Sequence, residues 1–315
     1  MDVRGGEARL TASRSAPLLA SAAILLGLLA WPSLAGALIA PGGQEQQALR
    51  FWTPARMKAA KPLDLHLPGS GQIALSEPAS ASSAFEKVPD PTVADTRVNG
   101  AIFIETPFGL GRCSGTSVNA PNYSVVFTAG HCIHSGGPHG RWMDFRWVFV
   151  PGYRYGQRPF GVFPAKWIDT TNEWRSTGSE NFDVGAAVVT RNQRGQLLAK
   201  AVGGTGIAFG LKTRQVFDVH GYPVEEPFDG ETQQVCNQTP FLGHDARSFL
   251  SPGPLNLAVD CDVTGGASGG GWTIAGTKTL NSVTNYGYGD DTDTDFGAYF
   301  GVEVARLFHR AAEVK

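Results

Sequence analysis

Short runs of β-branched and aromatic residues, each closed off by Gly, Pro or Asn, recur from about residue 93 to the C-terminus. They are Ala101-Ile102-Phe103-Ile104, Ser124-Val125-Val126-Phe127-Thr128, Trp147-Val148-Phe149-Val150, residues 184–189, residues 215–220 and Trp272-Thr273-Ile274. Strands separated by turns, with no helical stretches alternating between them, predict an all-β sandwich or barrel. One helical pattern stands out over 302–314, where Val304, Leu307 and Phe308 fall at i, i+3 and i+4. That spacing predicts a terminal amphipathic helix.

The N-terminal part has a different character. Arg4, Arg9 and Arg14 precede an apolar stretch over 18–30, no charge occurs between Arg14 and Glu45, and Ala35-Gly36-Ala37 comes after Pro32. A basic start, a short apolar middle and small residues at an A-x-A site are the parts of a secretory signal. The apolar middle is shorter than the ~20 residues of a membrane-spanning helix. Residues 1–37 are therefore expected to be a signal peptide and the protein to be secreted, extracellular and without stable membrane association. Residues 38–92 show little regular pattern. Residues 76–84 are small and polar, and Pro89-Asp90-Pro91 breaks any regular element near the end of the segment, so 38–92 reads as a propeptide or linker rather than core. The structured domain is expected over 93–315.

Composition sharpens this picture in two respects. With 40 Gly and 20 Pro in 315 residues, turns must be frequent, which suits the all-β class. The formal net charge of -2 and the scattered Lys and Arg leave no basic stripe for nucleic acid. A monomer is expected. The four cysteines, Cys113, Cys132, Cys236 and Cys261, suggest two disulfides in an exported chain. Three pairings are open, the sequence-local one (Cys113 with Cys132, Cys236 with Cys261) being favoured. No Cys/His spacing suits zinc, and no metal or other cofactor is expected.

Three segments carry candidate chemistry. In Phe127-Thr128-Ala129-Gly130-His131-Cys132 a strand ends, small residues turn the chain, and an imidazole comes next, beside an anchorable cysteine. In Thr264-Gly265-Gly266-Ala267-Ser268-Gly269-Gly270 flanking glycines allow a tight turn. There the N–H groups of Gly266 and Ser268 could converge on a developing oxyanion, an interaction worth roughly 3 kcal/mol per donor. In Asn181-Phe182-Asp183-Val184-Gly185 an aspartate leads into an apolar strand. A carboxylate buried there needs a partner, and a histidine N–H is a suitable one.

The order His, Asp, Ser, with T-A-G-H-C, D-V-G and G-x-S-G-G in these contexts, resembles the chymotrypsin-like serine peptidase superfamily. Within it, T-G-G-x-S-G resembles the secreted bacterial branch related to glutamyl endopeptidases. The resemblance covers about 97–312. It implies two six-stranded antiparallel β-barrels with a C-terminal helix, a disulfide from Cys113 to Cys132 behind the histidine loop, and an active site between the barrels. It further implies a serine endopeptidase acting on proteins or peptides, with His131 as general base, Asp183 orienting it, Ser268 as nucleophile and Gly266 and Ser268 as the oxyanion hole.

Departures from the family matter too. Ala267 stands where animal members have the aspartate that pairs with a new N-terminal amine, so activation of that kind is excluded at this residue; processing near 88–98 to remove a covering segment stays open. Val263, five before Ser268, replaces the hydroxyl residue of glutamate-cleaving members, and Thr284-Asn285-Tyr286-Gly287 lacks their pocket histidine. Asp262, six before Ser268, is either a pocket carboxylate for Lys or Arg or a loop aspartate. The candidate substrate pocket is thus Asp262, Val263, Thr264, Thr284, Asn285 and Tyr286. Asp290-Asp291-Thr292-Asp293-Thr294-Asp295 mimics the start of a calcium loop but has Phe296 where glycine is needed, and reads as a solvated loop. The alternatives are a non-catalytic peptidase homologue serving as an exported binding protein, an esterase, and a structural surface protein. An esterase normally has the order Ser, Asp, His on an α/β fold.

Overall fold

A computed structural model describes residues 36–63, 65–67, 73–75, 84–143, 146–262, 264–289 and 291–315. The expected signal sequence, apart from Gly36 and Ala37, lies outside them, as do Val263 and Asp290. Among the described residues no helix is long and apolar enough to cross a membrane.

Most of the described strands form two closed barrels of six antiparallel strands. In the first, the strands Asn99–Thr106, Gly109–Val118, Val125–Thr128, Gly185–Val189, Phe163–Thr170 and Val148–Pro151 pair in that order, and the last returns to the first. In the second, the ring runs Val216–Gly221, Gln234–Asp245, Leu257–Asp260, Asp291–Gly297, Thr279–Tyr288 and Gly271–Ile274. Closure removes the exposed edges that an open sheet would leave. Ile102, Val126, Trp147, Phe149, Ile168 and Ala187 pack within the first barrel; Phe217, Val219, Leu257, Val259 and Trp272 pack within the second.

The expected strands and the helix are present within a residue or two, the helix as Val302–Glu313. Its Val304, Leu307 and Ala311 are buried against Val125, Phe127 and Val188, and Arg310 Nε donates to Asp169 Oδ2 at 2.7 Å. Both disulfides pair locally, Cys113 with Cys132 and Cys236 with Cys261.

Two expectations need correction. Residues 291–297 form a strand, not a loop: they alternate Asp with β-branched Thr, pair on both sides, and turn Asp295 fully inward. The segment ahead of residue 93 also contributes to a core. Gln44–Phe51 and Pro54–Ala59 are helices, and Ala48, Trp52, Met57 and Ala60 bury themselves against Phe103, Val148, Val150 and Tyr153. Thr53 caps the second helix by accepting from Arg56 N at 3.3 Å, with Pro54 in its first turn. Both helices are too short for a periodic pattern to show.

Candidate active site

The first barrel brings two of the three chemical segments together by register. Val125–Thr128 and Gly185–Val189 are antiparallel neighbours with Thr128 opposite Gly185. His131 lies three residues beyond Thr128 and Asp183 two before Gly185, so both leave the sheet at the same end. Asp183 is fully buried and accepts twice from one residue: from His131 N at 2.7 Å and, at Oδ2, from His131 Nδ1 at 2.7 Å. One carboxylate therefore fixes both the backbone and the ring of His131.

The surroundings hold Asp183 from either side. Thr170 Oγ1 donates to Val184 O and Thr171 Oγ1 to Phe182 O, each at 2.6 Å. Asn181 Nδ2 donates to Ser248 O at 2.9 Å and Asn285 Nδ2 to Glu180 O at 3.3 Å, which tie the loop to the second barrel. Gly130 is required for the approach: a Cβ there would lie 2.7 Å from Asp183 Oδ1 and 2.9 Å from Thr170 Oγ1.

The third segment joins this pair through the disulfide neighbourhood. Ser114 N donates to Ser268 O at 2.8 Å, and Ser114 Oγ donates to Gly266 O at 2.9 Å while accepting from Tyr222 N at 2.9 Å. Ser114 adjoins Cys113, whose partner Cys132 adjoins His131, so one short cross-linked unit carries both the histidine and the serine turn. Gly269, at φ +81°, presses onto the end of the histidine strand. A Cβ there would lie 2.0 Å from Thr128 Oγ1 and 2.7 Å from Ala129 N. No side chain fits.

Within the turn, Val224 N donates to Gly265 O at 2.7 Å and Gly270 N to Ala267 O at 2.8 Å. A trans peptide sets its N–H opposite its C=O. The N–H groups of Gly266 and Ser268 therefore point away from Val224 and Gly270 respectively. Ser114 does not stand out in the sequence. Its only signal there is a hydroxyl beside a cysteine, in a run of small and polar residues.

The expected pocket residues are used in several ways. Thr284 Oγ1 donates to Asp295 Oδ2 at 2.7 Å and accepts from Trp272 Nε1 at 2.9 Å, and its carbonyl accepts from Gly269 N at 2.7 Å. It supports the serine turn from beneath. Asn285 is buried and bridges to the aspartate loop. Tyr286 stacks on Phe296 and donates to Asp245 Oδ2 at 2.6 Å. Thr264 Oγ1 donates to Glu225 O at 3.3 Å. Asp262 accepts from the backbone N–H of Phe85; partial burial holds its carboxyl above the usual carboxylate range, opposed by that hydrogen bond. Burial pushes Asp295 well above that range too.

One contact has no counterpart in any sequence motif. His131 Nε2 lies 3.0 Å from the carbonyl oxygen of Leu63, in the segment ahead of the barrels.

Comparison with known proteins agrees with this geometry. The fold resembles the protease Anisep from Arthrobacter nicotinovorans, with 32% sequence identity, a TM-score of 0.64, and coverage of 71% of this chain and 99% of that one. A thermostable serine protease, AL20, from an extremophilic microorganism matches at 31% identity and TM-score 0.64, over 71% of this chain and all of its own. A Glu endopeptidase in complex with MPD shares the fold at 16% identity and TM-score 0.57, over 75% of this chain and 99% of that one. No protein-family model matches the chain, and comparison with curated proteins returns no match. Two closed barrels carrying a His–Asp pair beside a glycine-flanked serine define the class. The chain belongs to the chymotrypsin-like serine peptidases.

Proposed function

We propose that the chain is a secreted serine endopeptidase that hydrolyses peptide bonds through an acyl-enzyme. The observation that carries this is the doubly bonded His131–Asp183 pair, set beside the Ser268 turn by Ser114 and the Cys113–Cys132 disulfide. Asp183 holds the proton on His131 Nδ1, which leaves Nε2 to act as the base. Ser268 Oγ attacks the carbonyl carbon of the scissile bond as its proton passes to Nε2. The oxyanion is met by the N–H groups of Gly266 and Ser268, and the same proton passes to the departing amine. Water then repeats the sequence and releases the acid.

Two disulfides, formed in an oxidising compartment, support export. The A-x-A site at 35–37 supports removal of a signal peptide. The test is digestion of a mixed peptide library by the processed protein and by Ser268→Ala. New termini produced by the parent alone are expected. Equal cleavage by both would remove Ser268 from the mechanism. The residues shared by the cleaved bonds would show whether Asp262 recognises a basic side chain.

A further inference from the structure

The Gly266 N–H, one of the two oxyanion donors proposed above, belongs to the central peptide of a β-turn. Ala267 N donates to Thr264 O at 3.3 Å, which puts Gly265 and Gly266 at the two middle positions. Gly266 has φ +97°, the mark of a type II turn. Type I differs from type II by reversal of the central peptide. Here that reversal would turn the Gly266 N–H towards Val224 and bring the Gly265 oxygen to where the N–H had pointed. Two adjacent glycines put no side chain in the way, since Gly takes positive and negative φ about equally. The turn alone therefore leaves the donor's orientation open.

The loop over 222–231 settles it from outside. Val224 N donates to Gly265 O at 2.7 Å, the bond that the reversal would break. Glu225 takes hold of the preceding peptide: its Oε2 accepts from Gly265 N at 3.2 Å, and its carbonyl accepts from Thr264 Oγ1 at 3.3 Å. A Cβ on Gly266 would lie 2.5 Å from Val224 Cγ2 and 2.8 Å from Tyr222 O, so only glycine lets the loop come this close. The loop is fastened to the first barrel on both sides of these contacts. Tyr222 N donates to Ser114 Oγ at 2.9 Å before them. After them, Arg112 donates to Gly230 O, Tyr153 Oη donates to the Glu231 carboxylate at 3.1 Å, and Tyr155 N donates to Glu231 O at 2.8 Å. Arg112 is fully buried beside the rings of Phe103 and Tyr153, which leaves that end little room to move.

We infer that Glu225 is a positioning residue of the oxyanion hole: with the Val224 N–H, its carboxylate clamps the two peptides that flank Gly265, so that the Gly266 N–H faces the substrate. The inference rests on the assignment of Ser268 as nucleophile. Glu225 is itself exposed, whereas the glycines it holds are buried. Its side chain can therefore be replaced without opening a core.

The experiment compares the processed parent, Glu225→Ala and Glu225→Gln in two measurements. The first is kcat and KM for a peptide substrate. Losing an oxyanion donor outright lowers kcat by about a hundredfold or more. Glu225→Ala loosens the donor but keeps the Val224 bond, so kcat is expected to fall roughly tenfold, the worth of one hydrogen bond, with KM unchanged. Glu225→Gln keeps an oxygen for Gly265 N and should recover most of that loss. The second measurement uses a peptide trifluoromethyl ketone, to which Ser268 adds as a hemiketal. The pH at which its fluorine resonance moves reports ionisation of the hemiketal hydroxyl, and it should rise by about one unit in Glu225→Ala. An unchanged kcat and ionisation pH in Glu225→Ala, a change confined to KM, or equal losses in the Ala and Gln variants would each overturn the clamp and leave the peptidase assignment intact. Neither hydrolysis nor hemiketal in any of the proteins would overturn the peptidase assignment and the clamp with it.

Discussion

Asp183→Asn separates charge from shape at the centre of the site. The carboxylate accepts from two donors of one residue, His131 N and His131 Nδ1, both at 2.7 Å. The backbone N–H cannot change its role, so the single oxygen of an Asn would stay with it. The amide nitrogen then faces Nδ1, which must give up its proton to accept. The proton moves to Nε2, and the base that Ser268 needs is gone. In triads of this kind the wrong tautomer lowers kcat about ten-thousandfold, or about 5 kcal/mol of transition-state stabilisation. KM should change little, because no substrate contact is touched. The assay is steady-state hydrolysis of a peptide substrate by the processed protein, with a thermal melt to confirm folding. A fall in kcat of less than tenfold, in a variant that melts with the parent, would refute the orienting role of Asp183.

The same geometry sets further expectations. Gly130→Ala places a methyl 2.7 Å from Asp183 Oδ1, so it should lower kcat by roughly a hundredfold or more through misplaced groups, seen in the same assay. Replacing Cys236 and Cys261 together by Ala opens a loop with a sequence separation of 25 and should cost about 3 kcal/mol, read from a denaturant midpoint. His220 is buried, which lowers its pKa to about 4 against an ordinary 6.5, the nearby Asp218 opposing the shift. Below the unfolded value the unfolded chain binds a proton that the folded chain refuses. The stability contribution is whole above pH ~6.5 and is lost as pH falls towards ~4, on the order of 3 kcal/mol in all. His220→Gln should flatten that acid limb in chemical denaturation between those limits, and an unchanged slope would remove His220 as its cause.

Strands announce themselves where β-branched and aromatic side chains cluster, as in Val125–Thr128 and Val148–Pro151. Gly109–Val118 escapes notice because its sequence, GLGRCSGTSV, is small and polar even though most of it is buried. Its glycines serve neighbours: a Cβ at Gly111 would strike Leu63, and one at Gly115 would strike Ile102. The strand Asp291–Gly297 is hidden by its carboxylates, which suggest solvent on composition alone.

The candidate triad was legible because chemistry dictates residue type and the strand ends dictate spacing. Ser114 was not, and Thr284, expected to line the pocket, gave no sign of its supporting role, since a hydroxyl that braces a turn looks like any other hydroxyl. The Leu63 carbonyl was beyond reach in principle, because every residue carries one. Its meaning comes only from position, 3.0 Å from the base.

The most direct measurement is the mass of the adduct formed when the processed protein reacts with a fluorophosphonate, mapped by proteolytic fragments. The account predicts one adduct per chain, on Ser268, and none after Ser268→Ala or Asp183→Asn within the time the parent needs to react fully. An adduct on another hydroxyl, or equal adduct formation in the Ser268→Ala protein, would contradict it.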